Sequence, residues 1–178
     1  MKTLEQNLSQ YAAYHRDSRN ILTHFIGIPL IVLAVVILLS RPAYSLWGLP
    51  ASPAVCAALA AAVYYLILDV RFGIAMALFL ETCVWLGAMF AAQSTGVWLG
   101  WGAGLFVLGW AIQFVGHYFE GRKPAFVDDI MGLMIGPLFV AAELAFLLGL
   151  RKPLEAAITR TSGAVAHRKG TAPAPKYE

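Results

Sequence analysis

The chain has 178 residues, 60% of them hydrophobic and only 13% charged, with a formal net charge of +3. Soluble domains carry about 25% charged residues, so this composition excludes an ordinary soluble globular domain. The mean hydropathy of +0.69 and recurring apolar runs of about 18 residues, each enough to cross a core about 30 Å thick, indicate an integral membrane protein. The basic residues Arg16, Arg19, Arg122, Lys123, Arg151, Lys152, Arg160, Arg168 and Lys169 fall in loops and tails. That placement suits membrane topology and lipid headgroups, not nucleic acid.

Along the chain, residues 4 to 15 predict a short interfacial helix, with Leu4, Leu8 and Tyr11 at helical spacing. The first twenty residues lack the apolar stretch of a cleavable signal peptide, so the first span is expected to act as the insertion signal. A turn at Arg16-Asp17-Ser18-Arg19-Asn20 follows, with Asn20 the expected N-cap of the next helix. Spans are expected at about 21–39, 54–68, 73–92 and 97–119. The first is stopped by Arg41-Pro42, and the last two are joined by the tight turn Gln93-Ser94-Thr95-Gly96. Asp69 and Arg71 read as a charge pair at a helix end, and Asp128 and Asp129 as caps of a helix beginning near Ile130.

The apolar region Ile130 to Leu150 is either a fifth span or a re-entrant helical pair broken at Gly136-Pro137. A fifth span would put Arg151 and Lys152 on the wrong side for the positive-inside bias, so the pair is preferred. The fold class expected is an all-α polytopic membrane helix bundle: four full spans, this fifth element, and a short N-terminal interfacial helix. Residues 1–152 form a single membrane-embedded domain, and 153–178 a mobile polar C-terminal tail. Cys56 and Cys83 read as small core residues. Gly100, Gly102, Gly104 and Gly109 read as close-packing positions.

Three of the four histidines, His15, His24 and His117, lie at the ends of hydrophobic segments. Four spans return the chain to its starting face at His117, so all three share one membrane surface. His117 and Glu120 are three apart and point from nearly the same face of a helix, with Gln113 one turn earlier. On one unbroken helix His15 and His24 would point oppositely, at about 100° per residue; the turn between them removes that obstacle. A mononuclear metal site of three imidazoles, with Glu120 as ligand or neighbour, follows. Four histidines cannot furnish the histidine-rich boxes of a membrane di-iron desaturase. Imidazole suits zinc, iron, copper and nickel alike, so residue chemistry leaves both zinc hydrolysis of lipid esters or amides and oxygen activation at iron open. Glu81 and Glu143, inside apolar segments, are most simply interhelical hydrogen-bonding groups, or alternatively the site of a non-catalytic small-molecule carrier. His167 lies in the polar tail.

Two blocks of sequence resemble one family. Tyr14-His15, Asn20 and His24 with Gly27-Ile28-Pro29 form the first, and Gln113-Phe114-Val115-Gly116-His117, Glu120, Pro124-Ala125, Asp128 and Gly136-Pro137-Leu138-Phe139 the second. Together they resemble the Mpo family of 2-hydroxy fatty acid dioxygenases over residues 5 to 150. The resemblance implies an iron(II) enzyme of fatty acid α-oxidation that uses O₂ and releases CO₂. It implies His15, His24 and His117 as the essential histidines, with Glu120 as a further ligand or as support for one. Asn20, Gln113, Arg122 and Lys123 are then candidate substrate-contacting or supporting residues. A multi-pass protein of a bacterial inner membrane, or of the endoplasmic reticulum in a eukaryote, is expected, with the metal site on the cytoplasmic side.

Overall fold

The computed structural model describes residues 2–46, 49–121 and 131–165. Its first helix, α1 (Leu4–Ala12), opens with a capping box in which Thr3 and Gln6 exchange side-chain and backbone hydrogen bonds. Its buried face is Leu4, Leu8, Tyr11 and Ala12. Helix α2 (Ser18–Leu39) starts three residues before the predicted span. Its N-cap is Asp17, whose side chain accepts from the Arg19 N–H; Asn20, predicted to fill that role, is instead a fully buried residue of the first turn. The expected stop at Arg41-Pro42 holds, and the hairpin β1 (Tyr44–Leu46) and β2 (Leu49–Ala51) follows.

Helices α3 (Pro53–Leu68), α4 (Val70–Ala91) and α5 (Thr95–Glu120) complete the bundle. Among the described residues three helices, α2, α4 and α5, are long and apolar enough to cross a membrane. The sixteen residues of α3 reach about 24 Å at 1.5 Å per residue, short of a full core, so the second expected span is an apolar helix below crossing length.

The antiparallel pair α2·α5 makes the tightest contact. A Cβ added to Gly109 would stand 3.0 Å from the Gly27 carbonyl, and one at Gly27 would stand 3.0 Å from the Gly109 carbonyl. Any side chain at either position would force the two backbones apart. Gly102 also packs on α2, whereas Gly100 and Gly104 face open space, so only part of the predicted glycine set serves packing. At the far end of the bundle Arg41 binds the Ala91 carbonyl at 2.7 Å and Thr95 Oγ1 at 3.1 Å, fastening the exit of α2 to the α4–α5 turn. Cys83 is buried as expected, but Cys56 is on the outer surface.

The region after residue 130 differs from expectation. Helix α6 (Met131–Leu147) runs unbroken through Pro137, so the predicted break at Gly136-Pro137 is absent. The break lies instead at the positive-φ residues Gly149 and Arg151, where α6 turns by 117° into α7 (Lys152–Ser162). Helix α7 is amphipathic and buries Ala157 and Ile158 on the side facing α1. Residues 153–162 of the predicted tail are therefore a packed helix; His167 and the rest of that tail from 166, with Asp128 and Asp129, lie outside the described residues. Both ends of the α6 region hold the end of α3: Tyr65 donates to the Met134 carbonyl at 2.7 Å, and Arg151 forks onto Asp69 at 3.0 and 2.7 Å.

Asp69 thus pairs with Arg151 rather than with Arg71, whose backbone N–H it caps along with that of Phe72. The Arg151 guanidinium holds the Asp69 carboxyl below its ordinary value; partial burial opposes this and the capped N–H groups reinforce it. A carboxyl depressed on folding contributes stability in full above its unfolded value of about 3.9 and loses it as pH falls through the lower folded value. Asp69→Asn keeps a capping acceptor but loses the charge, and is expected to cost about 1–2 kcal/mol at neutral pH. Thermal melts in detergent should show that gap to wild type closing as the pH approaches 3.

Candidate metal centre

His15 follows α1 in a tight turn closed by His15 N–H to the Ala12 carbonyl at 3.0 Å. His24 sits near the start of α2, and His117 in the last turn of α5. The three imidazoles are buried and converge, with one nitrogen from each lying within 4.8 Å of the others. Ring centroids are 4.5 Å apart for His15–His24 and 5.2 Å for each pair with His117. Close packing of α2 on α5 is what allows this. Gly116, beside His117, lies where a Cβ would overlap Thr23 Oγ1 and Asn20 Oδ1.

Two of the rings are oriented by backbone. His15 Nδ1 meets the Tyr11 carbonyl at 2.7 Å, and His24 Nδ1 meets the Asn20 carbonyl at 2.8 Å. A carbonyl only accepts, so Nδ1 carries the proton in both rings and Nε2 is left as a bare acceptor. Among the described residues His15 Nε2 is buried without a hydrogen-bond partner. Burial, and then the neighbouring His24, depress the His15 pKa to about 2, against the opposing pull of the Tyr11 carbonyl. The imidazole is therefore neutral, the form that ligates metals. An orphaned, neutral, inward-facing nitrogen beside two further imidazoles fits a metal ion better than any polar contact the described residues provide.

Glu120 stands apart from the three-nitrogen cluster. Its Oε1 accepts the Arg16 N–H at 2.8 Å, and its Oε2 accepts the Asp17 N–H and Asn20 Nδ2, each at 2.9 Å. The carboxylate at the end of α5 is thus spent on the turn that carries His15 toward His24. Asn20 joins the same network, and its carbonyl orients His24. Gln113 is buried, with Oε1 unpartnered among the described residues, and lines the neighbouring cavity. Arg122 and Lys123 lie outside the described residues, as does Pro124-Ala125. Glu81 and Glu143 do not converge: Glu81 is exposed on α4, and half-buried Glu143 lines a groove with Glu155 of α7.

Sequence reasoning missed Tyr11 and the wall formed by α6. Tyr11 stacks on His15, with centroids 4.2 Å apart and planes 8° apart. Its position four residues before His15, one helical turn, was the available signal. Burial raises the Tyr11 pKa, so the phenol stays protonated. A cavity of about 60 Å³ opens beside His24 and His117, between α2, α5 and α6, and Tyr11, Trp110 and Gln113 are among its lining residues. Ile28, Ile31, Val32, Leu133 and Pro137 give it an apolar wall. Gly136 leaves room for the Tyr11 hydroxyl, 3.0 Å from where a Cβ would stand.

A family model described as 2-hydroxy-palmitic acid dioxygenase Mpo1-like matches residues 1–148, which include all three histidines and Glu120. A protein of Saccharomyces cerevisiae named 2-hydroxy-palmitic acid dioxygenase MPO1 is 30% identical over 158 residues, covering 87% of this chain and 87% of the relative. No solved structure matches significantly. With a family match across nearly all of the bundle, the chain belongs to the Mpo1-like family.

Proposed function

We propose that this protein is an iron(II)-dependent dioxygenase that shortens 2-hydroxy fatty acids by one carbon. The observation that carries the reading is the buried trio His15, His24 and His117, whose nitrogens lie within 4.8 Å of one another, in a chain whose yeast relative is named a dioxygenase of 2-hydroxy-palmitic acid. Dioxygenase chemistry requires a metal that changes oxidation state, and zinc does not; imidazole ligands suit iron equally well. Iron(II) bound by three imidazoles would keep coordination positions open and supply the redox chemistry with O₂. The reaction balances as a 2-hydroxy acid plus O₂ giving the acid one carbon shorter, CO₂ and water, with O₂ taking the four electrons released.

The chain's own residues supply position and exclusion of water. The Tyr11 and Asn20 carbonyls fix which imidazole nitrogen faces the site. Glu120 fixes the turn between two of the ligands and supports the metal from outside its ligand shell. Protonated Tyr11 and the Gln113 amide are among the polar groups that line the cavity and would hold the substrate's hydroxyl and carboxylate. At about 60 Å³ the cavity admits the polar head but no long alkyl chain. The chain must continue along Ile28, Ile31 and Val32 on α2 into lipid, which explains why the enzyme is embedded. Arg16, Arg19, Arg71 and Arg151 belong to the histidine end and Arg41 to the other. By the positive-inside bias the site therefore faces the cytoplasm.

Anaerobically purified wild type is expected to hold roughly one iron per chain and to consume O₂ with 2-hydroxypalmitate; His24→Ala and His117→Ala should lose both. Product formed without O₂ uptake, or zinc in the active preparation, would replace this reading with a hydrolase. Glu120→Ala keeps every ligand and should weaken metal retention against a chelator about 10–100-fold, with Glu120→Gln intermediate. Gly136→Val, which presses on Tyr11 and Ile28, should cut turnover of long-chain substrate about tenfold or more while bound iron stays at the wild-type level.

A further inference from the structure

Glu81 is the one acidic residue of α4, and its position is costly. It lies about 16 Å along the axis from Val70, at 1.5 Å per residue, and so near mid-depth in a core about 30 Å thick. The inward face of α4 is Met76, Leu80, Cys83 and Gly87, all buried. Glu81 is on the opposite face, exposed in a row with Ile74, Leu78, Trp85 and Met89, each more than half exposed. This corrects the expectation of an interhelical hydrogen bond: among the described residues nothing bonds the Glu81 carboxyl. A polar group in hydrocarbon is costly until it finds a partner, and no described residue of this chain supplies one.

The geometry of insertion selects which molecule. Copies inserted in the same orientation carry Glu81 at the same depth, so a two-fold axis along the membrane normal brings like to like. Two carboxyl groups that share a proton donate and accept between them, so two copies of this side chain at one depth complement each other. Ala75, Thr82 and Ala88 are exposed on the same face and are small enough to let two helices approach closely. A different protein would need a polar side chain at matching depth. We propose that the Glu81 face of α4 is the interface of a two-fold symmetric dimer in the membrane, with the two Glu81 carboxyls hydrogen-bonded across the axis. No residue of α4 lines the cavity beside the histidines, so this interface is independent of the dioxygenase reading.

Two differently tagged full-length copies, co-expressed and extracted in mild detergent, test the proposal, together with the molar mass of the singly expressed purified protein by light scattering. The expected result is co-isolation of the tags and the mass of two copies. Glu81→Leu should reduce co-isolation about tenfold, whereas Glu81→Gln, whose amide still donates and accepts, should retain it. In membranes, oxidation of Thr82→Cys in a Cys56→Ser background should give a crosslinked species of twice the chain mass, which keeps the test decisive if Glu81→Leu fails to accumulate. A monomeric wild type, co-isolation unchanged by Glu81→Leu, or a crosslink only to a different protein would overturn it.

Discussion

The close approach of α2 and α5 is the constraint on which the rest of the structure depends. Gly27 and Gly109 face each other with no room for a Cβ on either, and Gly116 leaves the space that Thr23 and Asn20 occupy. Between membrane helices there is no hydrophobic driving force to hold such a contact, so dispersion between complementary backbones must supply it. Moving the helices apart by the width of a methyl group would separate His24 from His117, which sit on the two sides of this seam. The convergence of His24 on His117 is thus a consequence of packing two glycine-bearing faces, antiparallel, near one membrane surface.

The third histidine arrives by different means. His15 belongs to no span; it hangs on the turn between α1 and α2, and the carboxylate of Glu120, about a hundred residues later, gathers that turn. One side chain at the end of α5 therefore couples the interfacial helix to the bundle. Tyr11 reinforces the link, offering its carbonyl to His15 and its ring as a stacking surface. Helix α7 backs α1 from the other side through Ala157 and Ile158. The site is built where an interfacial element meets the ends of two spans, a position open to an amphiphile whose head belongs to water and whose tail belongs to lipid.

Electrostatics follow from the same burial. Removing His15 from water keeps it neutral at any ordinary pH, so its lone pair is available without competition from protons. The described arginines Arg16, Arg19, Arg41, Arg71 and Arg151 stay at the rim, where they orient the protein and cost little. Arg151 is the informative case. It adopts a left-handed backbone conformation, uncommon for a residue with a side chain, and is held there by the fork onto Asp69 and by stacking over Phe72.

The sequence by itself determined the environment, the class of fold and the identity of the three histidines. Hydrophobic length and the placement of charge are local properties, readable without partners, and they put the histidines on one surface. The cap at Asp17 rather than Asn20, the continuity of α6 through Pro137 and the packing of α7 were decided by tertiary structure. In the first and last of these the local signal was overruled by a partner far along the chain: Glu120 drew Asn20 inward, and Asp69 captured Arg151 beyond the end of α6. The role of Glu120 was undecidable from spacing, because three residues on a helix set direction but not which neighbour the carboxylate meets. Only the folded chain, by bringing the 16–20 turn to the end of α5, turned that candidate ligand into the residue that holds the turn.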